Sequence, residues 1–227
     1  YGDLGAMEQA MTEHTCAVLV EPIQGEGGIV IPPDGYLEGL RRMCDQRDVV
    51  LMFDEVQTGI GHTGHYFGYQ HEGVDPDVMT LAKGLAGGLP IGAMMARPDI
   101  AEVLGPGTHG STFGGNPVSC SAALAVLRTI EDEHLLQHVQ EVGAYFVDGL
   151  KRLQQKYAFI TEVRGRGLMV AAELDRPGGH MVVKAMERGY LINCTVDCVL
   201  RFLPPLIITA QEVDGLLTTL DAIFAEE

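Results

Sequence analysis

The chain has 227 residues, of which 46% are hydrophobic and 20% charged, a composition typical of a globular protein with a full core. Its 15 basic and 31 acidic side chains give a formal net charge of −16, which argues against nucleic-acid or anionic-membrane binding. No apolar run approaches the roughly 18 residues of a membrane span. The five cysteines match no disulfide or zinc spacing and indicate a reducing compartment, so we expect a cytoplasmic protein.

The first residue is Tyr1 rather than methionine, and residues 1–11 show no charged-then-apolar secretory pattern. We therefore expect the chain to begin partway through a longer protein. Under that expectation, the lack of a targeting peptide carries little weight.

Short apolar segments in the first half predict four strands, at residues 16–21, 49–54, 78–82 and 92–96. Runs that are apolar throughout are typical of strands buried on both faces, and their spacing predicts a mostly parallel sheet. Asp34 is expected to cap a helix between the first two strands. In such sheets ligands bind beyond the carboxyl ends of the strands, where this sequence has Glu21, Asp54 and Lys83.

Two agreeing signals begin a later helix, since Asn116 is a good N-cap and Pro117 fits the first helical turn. A longer amphipathic helix follows, with apolar positions at helical spacing: Leu135, Val139, Val142, Phe146, Leu150 and Leu153. After it, strands near 158–163 and 168–174 are expected to flank a turn at the RGRG motif, residues 164–167. A helix at 179–188, strands near 190–194 and 199–203, and a terminal helix follow. We therefore predict a large-domain part at 1–133 and a small α/β domain at 134–227.

Lys83 ends an apolar strand, whereas the three other lysines lie in polar helical stretches typical of solvated surfaces: Lys151, Lys156 and Lys184. A lysine at such a strand end is expected to be poorly solvated. Poor solvation favours the neutral amine, which is a nucleophile toward carbonyl carbon. The alternative is an amine that reaches solvent beyond the strand, and the local sequence does not choose between the two.

Asp54 closes another apolar strand, in the motif FDEVQTG. A carboxylate there is costly unless it has a cationic partner, and a protonated pyridine nitrogen is one such partner. Val56 could then pack on a flat ring, and Gln57 could donate to a ring oxygen. The alternative is that Asp54 caps the turn that follows it.

Two further charged residues stand in unusual settings. Glu26 lies among glycines in EPIQGEGG, where it could face a site, pair with an arginine or belong to a plain flexible loop. Arg201 lies inside the apolar strand VLRFL, where a buried guanidinium needs a carboxylate from the protein or from a ligand. Considered alone, an internal ion pair is the more common explanation for such an arginine.

The motif HGSTFGGNP places Ser111 and Thr112 beside glycines just before a helix. Small hydroxyl residues in that position suit phosphate binding. A simple N-cap box for the helix is the alternative, and the two interpretations are compatible.

Two patterns do not indicate a site. Residues 59–64 spell GxGxxG, but the segment DEVQT separates them from the apolar part of their strand and no helix start follows, so the dinucleotide-binding context is missing. The histidines His62, His65 and His71 cluster in the sequence, and His134 and His138 are one helical turn apart, but neither group has a supporting acid or cysteine at ligand spacing. We expect surface histidines and no metal site.

Taken in order, five motifs resemble the class III, pyridoxal-phosphate-dependent aminotransferases: EPIQGEGG, LMFDEVQTGIGHTG, LAKGLAGGLPIGAM, HGSTFGGNP and LRFLPPLIIT. The resemblance covers essentially the whole chain. It implies an α/β fold of fold-type I, with the mostly parallel sheet of a large domain, here incomplete, and a small C-terminal α/β domain. It also implies pyridoxal 5'-phosphate as cofactor and a homodimer with its sites at the subunit interface.

The resemblance implies roles for the residues that hold the cofactor. Lys83 is similar to the lysine that bonds to the cofactor and later moves the proton, and Asp54 to the acid paired with the pyridinium nitrogen. Val56 would pack on the ring face, and Gln57 would reach the phenolic oxygen.

It implies further roles for the residues that meet phosphate and substrate. Ser111 and Thr112 resemble the phosphate contacts, with Thr112 supplied by the neighbouring subunit. Arg201 resembles the arginine that clamps the substrate α-carboxylate. Glu26 resembles the gate glutamate that lets one pocket accept two substrates.

Two departures from the family are visible. His62 stands where the family usually has Arg, a change that mainly concerns loop packing. Family members are also longer, and their N-terminal part should carry a phosphate cradle, an aromatic ring stacked on the cofactor and a second substrate arginine.

The likeness within the family implies an amino acid donor and a 2-oxo acid acceptor, namely N-acetylornithine and 2-oxoglutarate, in arginine biosynthesis. Ornithine, 4-aminobutyrate and succinyl-diaminopimelate stay open as donors. Two other classes also stay open: a non-catalytic α/β fragment or scaffold subunit, and a metal-binding module that uses the cluster His62–His71.

Overall fold

The computed structural model describes residues 1–227, which form two compact units. Unit 1 comprises residues 1–23, 32–60 and 65–133, and unit 2 comprises residues 24–31, 61–64 and 134–227. Two short segments from the first half of the chain thus belong to unit 2, and no pattern in the linear sequence indicates this.

Unit 1 is built on a four-stranded sheet of β1 (Ala17–Val20), β2 (Val50–Asp54), β3 (Val78–Leu81) and β4 (Ala93–Ala96), in that spatial order. β1, β2 and β3 pair in parallel, whereas β4 pairs antiparallel to β3. The prediction of a mostly parallel sheet is therefore confirmed.

Unit 1 also contains the helices α1 (Leu4–Ala10), α2 (Tyr36–Arg47), α3 (Pro98–Ala101) and α4 (Pro117–Asp132). The apolar stripe of α2 packs against buried residues of the sheet, among them Leu51 and Phe53. The predicted Asp34 cap is wrong, because the N-cap residue is Gly35. Gly35 has a φ of 78°, and no side chain caps the helix there. The predicted cap of α4 is confirmed, since the Asn116 side chain accepts a hydrogen bond from Ser119 N at 2.9 Å.

Unit 2 contains an antiparallel sheet in the order β5-β6-β8-β7, formed by β5 (Ile160–Arg166), β6 (Met169–Leu174), β7 (Asn193–Thr195) and β8 (Val199–Phe202). The RGRG motif lies mostly inside β5, and the turn comes at Gly167, where φ is 58°. The predicted turn is therefore displaced by about two residues, because glycine at 167 takes the left-handed conformation most easily.

The helices of unit 2 are α5 (Leu135–Lys156), α6 (Gly179–Glu187) and α7 (Ala210–Phe224). All six apolar positions predicted for α5 are buried, and all of them except Leu135 share a core with α7 and the buried residues of the sheet. None of the helices is long and apolar enough to cross a membrane.

Candidate active site

The carboxyl edge of the unit 1 sheet brings two candidate residues to neighbouring strands. Asp54 is the last residue of β2, and its backbone is in register with Thr80 of β3. Lys83 follows the end of β3 by two residues. Since β2 and β3 are parallel, both residues leave the sheet at the same edge, where ligands of parallel sheets collect.

Asp54 is half-buried and is held by its own neighbourhood. Its Oδ1 accepts hydrogen bonds from Val56 N at 3.0 Å and from Thr80 Oγ1 at 3.3 Å. The turn-capping interpretation is thus observed. Both bonds fall on one oxygen, so the other carboxylate oxygen is available for a cationic partner.

The adjacent acid, Glu55, is in a different environment, with only 1% of its surface exposed. Its carboxylate accepts hydrogen bonds from Gly68 N at 2.8 Å, from Tyr69 N at 2.9 Å and from the Thr58 hydroxyl. Burial raises the pKa of Glu55, and these three hydrogen bonds oppose the rise. Glu55 therefore fixes the segment after β2, which leaves Asp54 as the acid available for chemistry.

Lys83 is exposed and begins a short 3₁₀ turn, residues Lys83–Ala86. Of the two interpretations that the sequence left open for Lys83, this exposure favours the one in which the side chain reaches solvent beyond the strand. Its backbone adopts a φ of 46°, in the left-handed region that non-glycine residues seldom occupy. Such outliers persist where the surrounding structure imposes them and are common at functional sites.

The other predicted cofactor residues lie in the loops of unit 1. Val56 and Gln57 are half-buried in the turn after β2, and Ser111 and Thr112 are exposed ahead of α4. Ser111 Oγ accepts a hydrogen bond from Gly114 N at 2.8 Å. A cavity of about 630 Å³ opens here, lined by residues that include Ser111, Gly114 and Gly115 but not Thr112.

Arg201 and Glu26 form an ion pair within unit 2. Arg201 is only 9% exposed on β8, and its Nη1 donates to Glu26 Oε2 at 2.7 Å and to Gly25 O at 3.0 Å. The internal ion pair is therefore present in this structure. The buried Nε has no hydrogen-bond partner, so the guanidinium retains a donor for a further acceptor.

A cavity of about 620 Å³ adjoins this arginine within unit 2. Its wall is mostly apolar, with Tyr190, Phe202 and Pro204 among the residues that line it, and Arg201 is its one cation. A single guanidinium in an apolar wall is suited to orienting an anionic group.

The expectation of surface histidines is wrong for four of the five, because His62, His65, His71 and His138 are half-buried and only His134 is exposed. Burial lowers the pKa of His62, and a hydrogen bond with the Pro204 backbone opposes the change. The rings of His65 and His71 meet edge to face, with 4.3 Å between their centroids. Residues 59–64 form turns without a following helix, and no three metal-ligating side chains come together.

One further contact, between Arg164 and the backbone of Ile29, is not indicated by the sequence. Arg164 was predicted to lie in a turn, but it lies on β5, and its Nε donates to Ile29 O at 2.9 Å. The two residues are 135 positions apart, so local patterns carry no signal of their contact.

Comparison with known proteins identifies the family. Residues 2–224 match the family model for aminotransferase class-III. An acetylornithine aminotransferase of Methanocaldococcus jannaschii is 50% identical over 226 residues, which cover 100% of this chain and 57% of that protein. The corresponding protein of Caldanaerobacter subterraneus is 49% identical over 225 residues, or 99% of this chain and 57% of that protein. The chain thus spans less than two thirds of the length of these relatives.

Solved structures agree with this assignment and confirm the predicted fold class. An ornithine aminotransferase from Toxoplasma gondii, described with partial occupancy of PLP at its active site, has a TM-score of 0.94 and 43% identity, covering 100% of this chain and 55% of its own. An acetylornithine aminotransferase from Elizabethkingia anophelis has a TM-score of 0.93 and 36% identity, and the match covers 100% of this chain and 59% of that protein's chain. This chain therefore belongs to the class III aminotransferases, the family whose cofactor is pyridoxal 5'-phosphate.

Proposed function

We propose that the protein containing this chain transfers the amino group of N-acetylornithine to 2-oxoglutarate, as a step of arginine biosynthesis. The 50% and 49% identities to acetylornithine aminotransferases support this donor. The ornithine aminotransferase at TM-score 0.94 makes ornithine the second candidate. The observation that carries the chemistry is that Asp54 and Lys83 lie at the carboxyl ends of two neighbouring parallel strands, at the same edge of the sheet.

The residues of unit 1 fit pyridoxal 5'-phosphate by their chemistry. Asp54 offers a carboxylate oxygen for a protonated ring nitrogen, and Lys83 offers an exposed primary amine for a carbonyl carbon. Ser111 and Thr112 would hold the phosphate, Thr112 in the site of the neighbouring subunit. When bound, the cofactor supplies an electron sink for charge that develops at the substrate α-carbon.

The side chains of unit 1 each have a defined task in this proposal. Asp54 would pair with the protonated ring nitrogen, and its bonds from Val56 N and Thr80 Oγ1 fix the orientation of its carboxyl group. The Val56 side chain would pack on the ring face, and Gln57 would donate to the ring oxygen. The Lys83 amine takes the proton from the substrate α-carbon and later gives that proton back.

Arg201 of unit 2 binds the substrate α-carboxylate with its planar fork. Donor and acceptor both carry that carboxylate, so each has to compete with Glu26, which holds Nη1 in this structure. The side chain of Glu26 is 73% exposed and can move into solvent at little cost. Glu26 therefore acts as a gate on Arg201.

The proposal includes a homodimer in the cytoplasm. Exposed apolar side chains on the sheet of unit 1, including Leu19, Met94 and Met95, support coverage of that surface by further protein. All five cysteines are free thiols, which supports a reducing compartment.

The test is a donor screen with the full-length protein that contains residues 1–227. N-acetylornithine, ornithine, 4-aminobutyrate and succinyl-diaminopimelate are each assayed with 2-oxoglutarate, and kcat/KM is expected to be highest for N-acetylornithine. A preference for ornithine would reassign the donor. If no donor is turned over and the purified protein lacks a visible cofactor absorbance, the scaffold alternative is correct instead.

A further inference from the structure

The segment 24–31 is a closed loop with backbone hydrogen bonds of its own, among them those that Gly25 O accepts from Gly28 N at 3.2 Å and from Ile29 N at 3.4 Å. Gln24 and Val30 exchange two backbone hydrogen bonds of 3.0 Å, which bring the ends of the loop together. Between them Gly28 and Ile29 have φ values of 103° and 54°. The left-handed region is unfavourable for a β-branched residue, and Ile29 is fully buried there, so other groups have to hold this backbone in place.

Arg164 supplies those contacts. Its Nε donates to Ile29 O at 2.9 Å and to Gly28 O at 3.2 Å, and its Nη2 donates to Gly28 O at 2.7 Å. Its Nη1 is fixed by carboxylates of Glu162 and Glu173, each at 2.6 Å. The two carboxylates therefore hold the guanidinium through Nη1, while its Nε and Nη2 bind two successive carbonyls of the loop.

Arg201 contacts the opposite part of the same loop. Its Nη1 donates to Gly25 O and Glu26 Oε2, whereas Arg164 donates to the carbonyls of Gly28 and Ile29. Both arginines belong to one sheet, on β5 and β8, with β6 between them. The loop is thus fixed at two points by two arginines of one rigid framework.

The geometry points to Arg164 as the positioning residue that sets Glu26 against Arg201, and so controls how readily Arg201 accepts a substrate carboxylate. The inference rests on the proposed function, in which Arg201 binds that carboxylate. An exposed carboxylate such as Glu26 gains little from a single ion pair, because side-chain entropy and solvent offset the attraction. Because Arg164 fixes the loop at Gly28 and Ile29, two and three residues after Glu26, Glu26 loses less freedom on pairing and competes more effectively.

The experiment compares full-length holoenzyme variants Arg164→Met, Glu26→Gln and the double variant with the unchanged enzyme. Arg176→Met is the control, since Arg176 also pairs with a carboxylate, that of Asp175, but lies on an exposed turn after β6. Binding of glutarate, a dicarboxylate that needs no turnover, is measured by calorimetry. Hydrogen exchange is measured for the amides of residues 24–30.

We expect Arg164→Met and Glu26→Gln each to tighten glutarate binding about fivefold, because the first releases the loop that positions the competing carboxylate and the second removes the charge of that carboxylate. The double variant should bind no tighter than Arg164→Met alone. Amides 24–30 should exchange at least about tenfold faster in Arg164→Met and stay unchanged in Arg176→Met. Arg164→Lys should restore the exchange rates only partly, since an ammonium lacks the fork that spans two carbonyls.

Additive effects of the two substitutions on glutarate binding would overturn the inference, and so would unchanged exchange of residues 24–30. If Arg164→Met does not fold, Arg164→Lys decides by the same two measurements. If the proposed function is wrong, the result differs: no donor is turned over in the screen, and glutarate does not bind the unchanged enzyme. Hydrogen exchange of residues 24–30 still tests whether Arg164 holds the loop.

Discussion

Arg201 and Glu26 lie 175 residues apart in the chain, yet Arg201 Nη1 is 2.7 Å from Glu26 Oε2. The pair is asymmetric, because the arginine side chain is 9% exposed and the glutamate side chain is 73% exposed. Removing the glutamate would leave a buried cation with Gly25 O as its remaining acceptor, whereas removing the arginine would leave a carboxylate that water can solvate. This asymmetry suits a cation that exchanges one carboxylate for another.

Substitution of Arg201 tests the role of this cation. Arg201→Lys and Arg201→Ala should each raise KM for 2-oxoglutarate and for the amino donor by at least about tenfold, because an ammonium or a methyl group cannot form the two-pronged bond. The free energy of unfolding of Arg201→Ala should fall by only about 1–2 kcal/mol, since Glu26 becomes solvated. Thermal unfolding and both half-reaction rates are measured; a large stability loss with unchanged KM would reject the clamp.

Substitution of Asp54 tests the acid at the end of β2. Asp54→Asn keeps an oxygen that can accept from Val56 N and Thr80 Oγ1, so the fold and cofactor content should be retained. The lost charge should lower kcat by about 10²-fold or more, since the proton on the ring nitrogen is no longer stabilised. The exposed acid Asp34 provides the matched control, Asp34→Asn. Near-normal transamination by Asp54→Asn would disprove the assignment.

Substitution of Lys83 tests the nucleophile. Lys83→Ala should lower kcat by about 10³-fold or more, because no other group replaces the amine in moving the proton. Stability should change by less than about 0.5 kcal/mol, since the side chain is exposed and alanine meets the same backbone strain at φ of 46°.

A chemical experiment identifies the same lysine directly. Borohydride reduction of the unchanged enzyme should leave the cofactor mass on the peptide that contains Lys83, and Lys83→Ala should show none. Label on Lys151 or Lys184 instead would show that another amine holds the cofactor.

Glu55 gives a prediction about stability rather than catalysis. Glu55→Gln should cost about 1–3 kcal/mol, because the amide nitrogen would face the N–H donors of Gly68 and Tyr69. Burial raises the pKa of Glu55 above its ordinary 4.5, so the folded protein binds this proton more tightly than the unfolded chain. The contribution of Glu55 to stability is therefore largest below that ordinary value and falls as the pH rises through the folded pKa.

Urea unfolding from pH 4.5 to pH 8 measures this dependence. The stability deficit of Glu55→Gln relative to the unchanged protein should shrink as the pH rises, because only the unchanged protein titrates at this position. A deficit that grows with pH would mean that the hydrogen bonds of Glu55, and not its burial, dominate its titration.

The sequence alone determined what depends on local chemistry. The apolar runs before Asp54 and Lys83 specify strands, and the Asn116-Pro117 pair specifies the start of α4, because capping and periodicity act within a few residues. The ordered motifs around Lys83 and Arg201 indicated the family, which the match over residues 2–224 shows.

Only the tertiary structure decided which distant groups meet and which are solvated. Lys83 is exposed and His62 is half-buried, because solvation depends on what the rest of the fold places around a residue. Glu26 meets Arg201, and Arg164 grips Ile29, across 175 and 135 residues of chain. Such contacts follow from sheet order and loop closure, which no pattern within a few residues of either partner records.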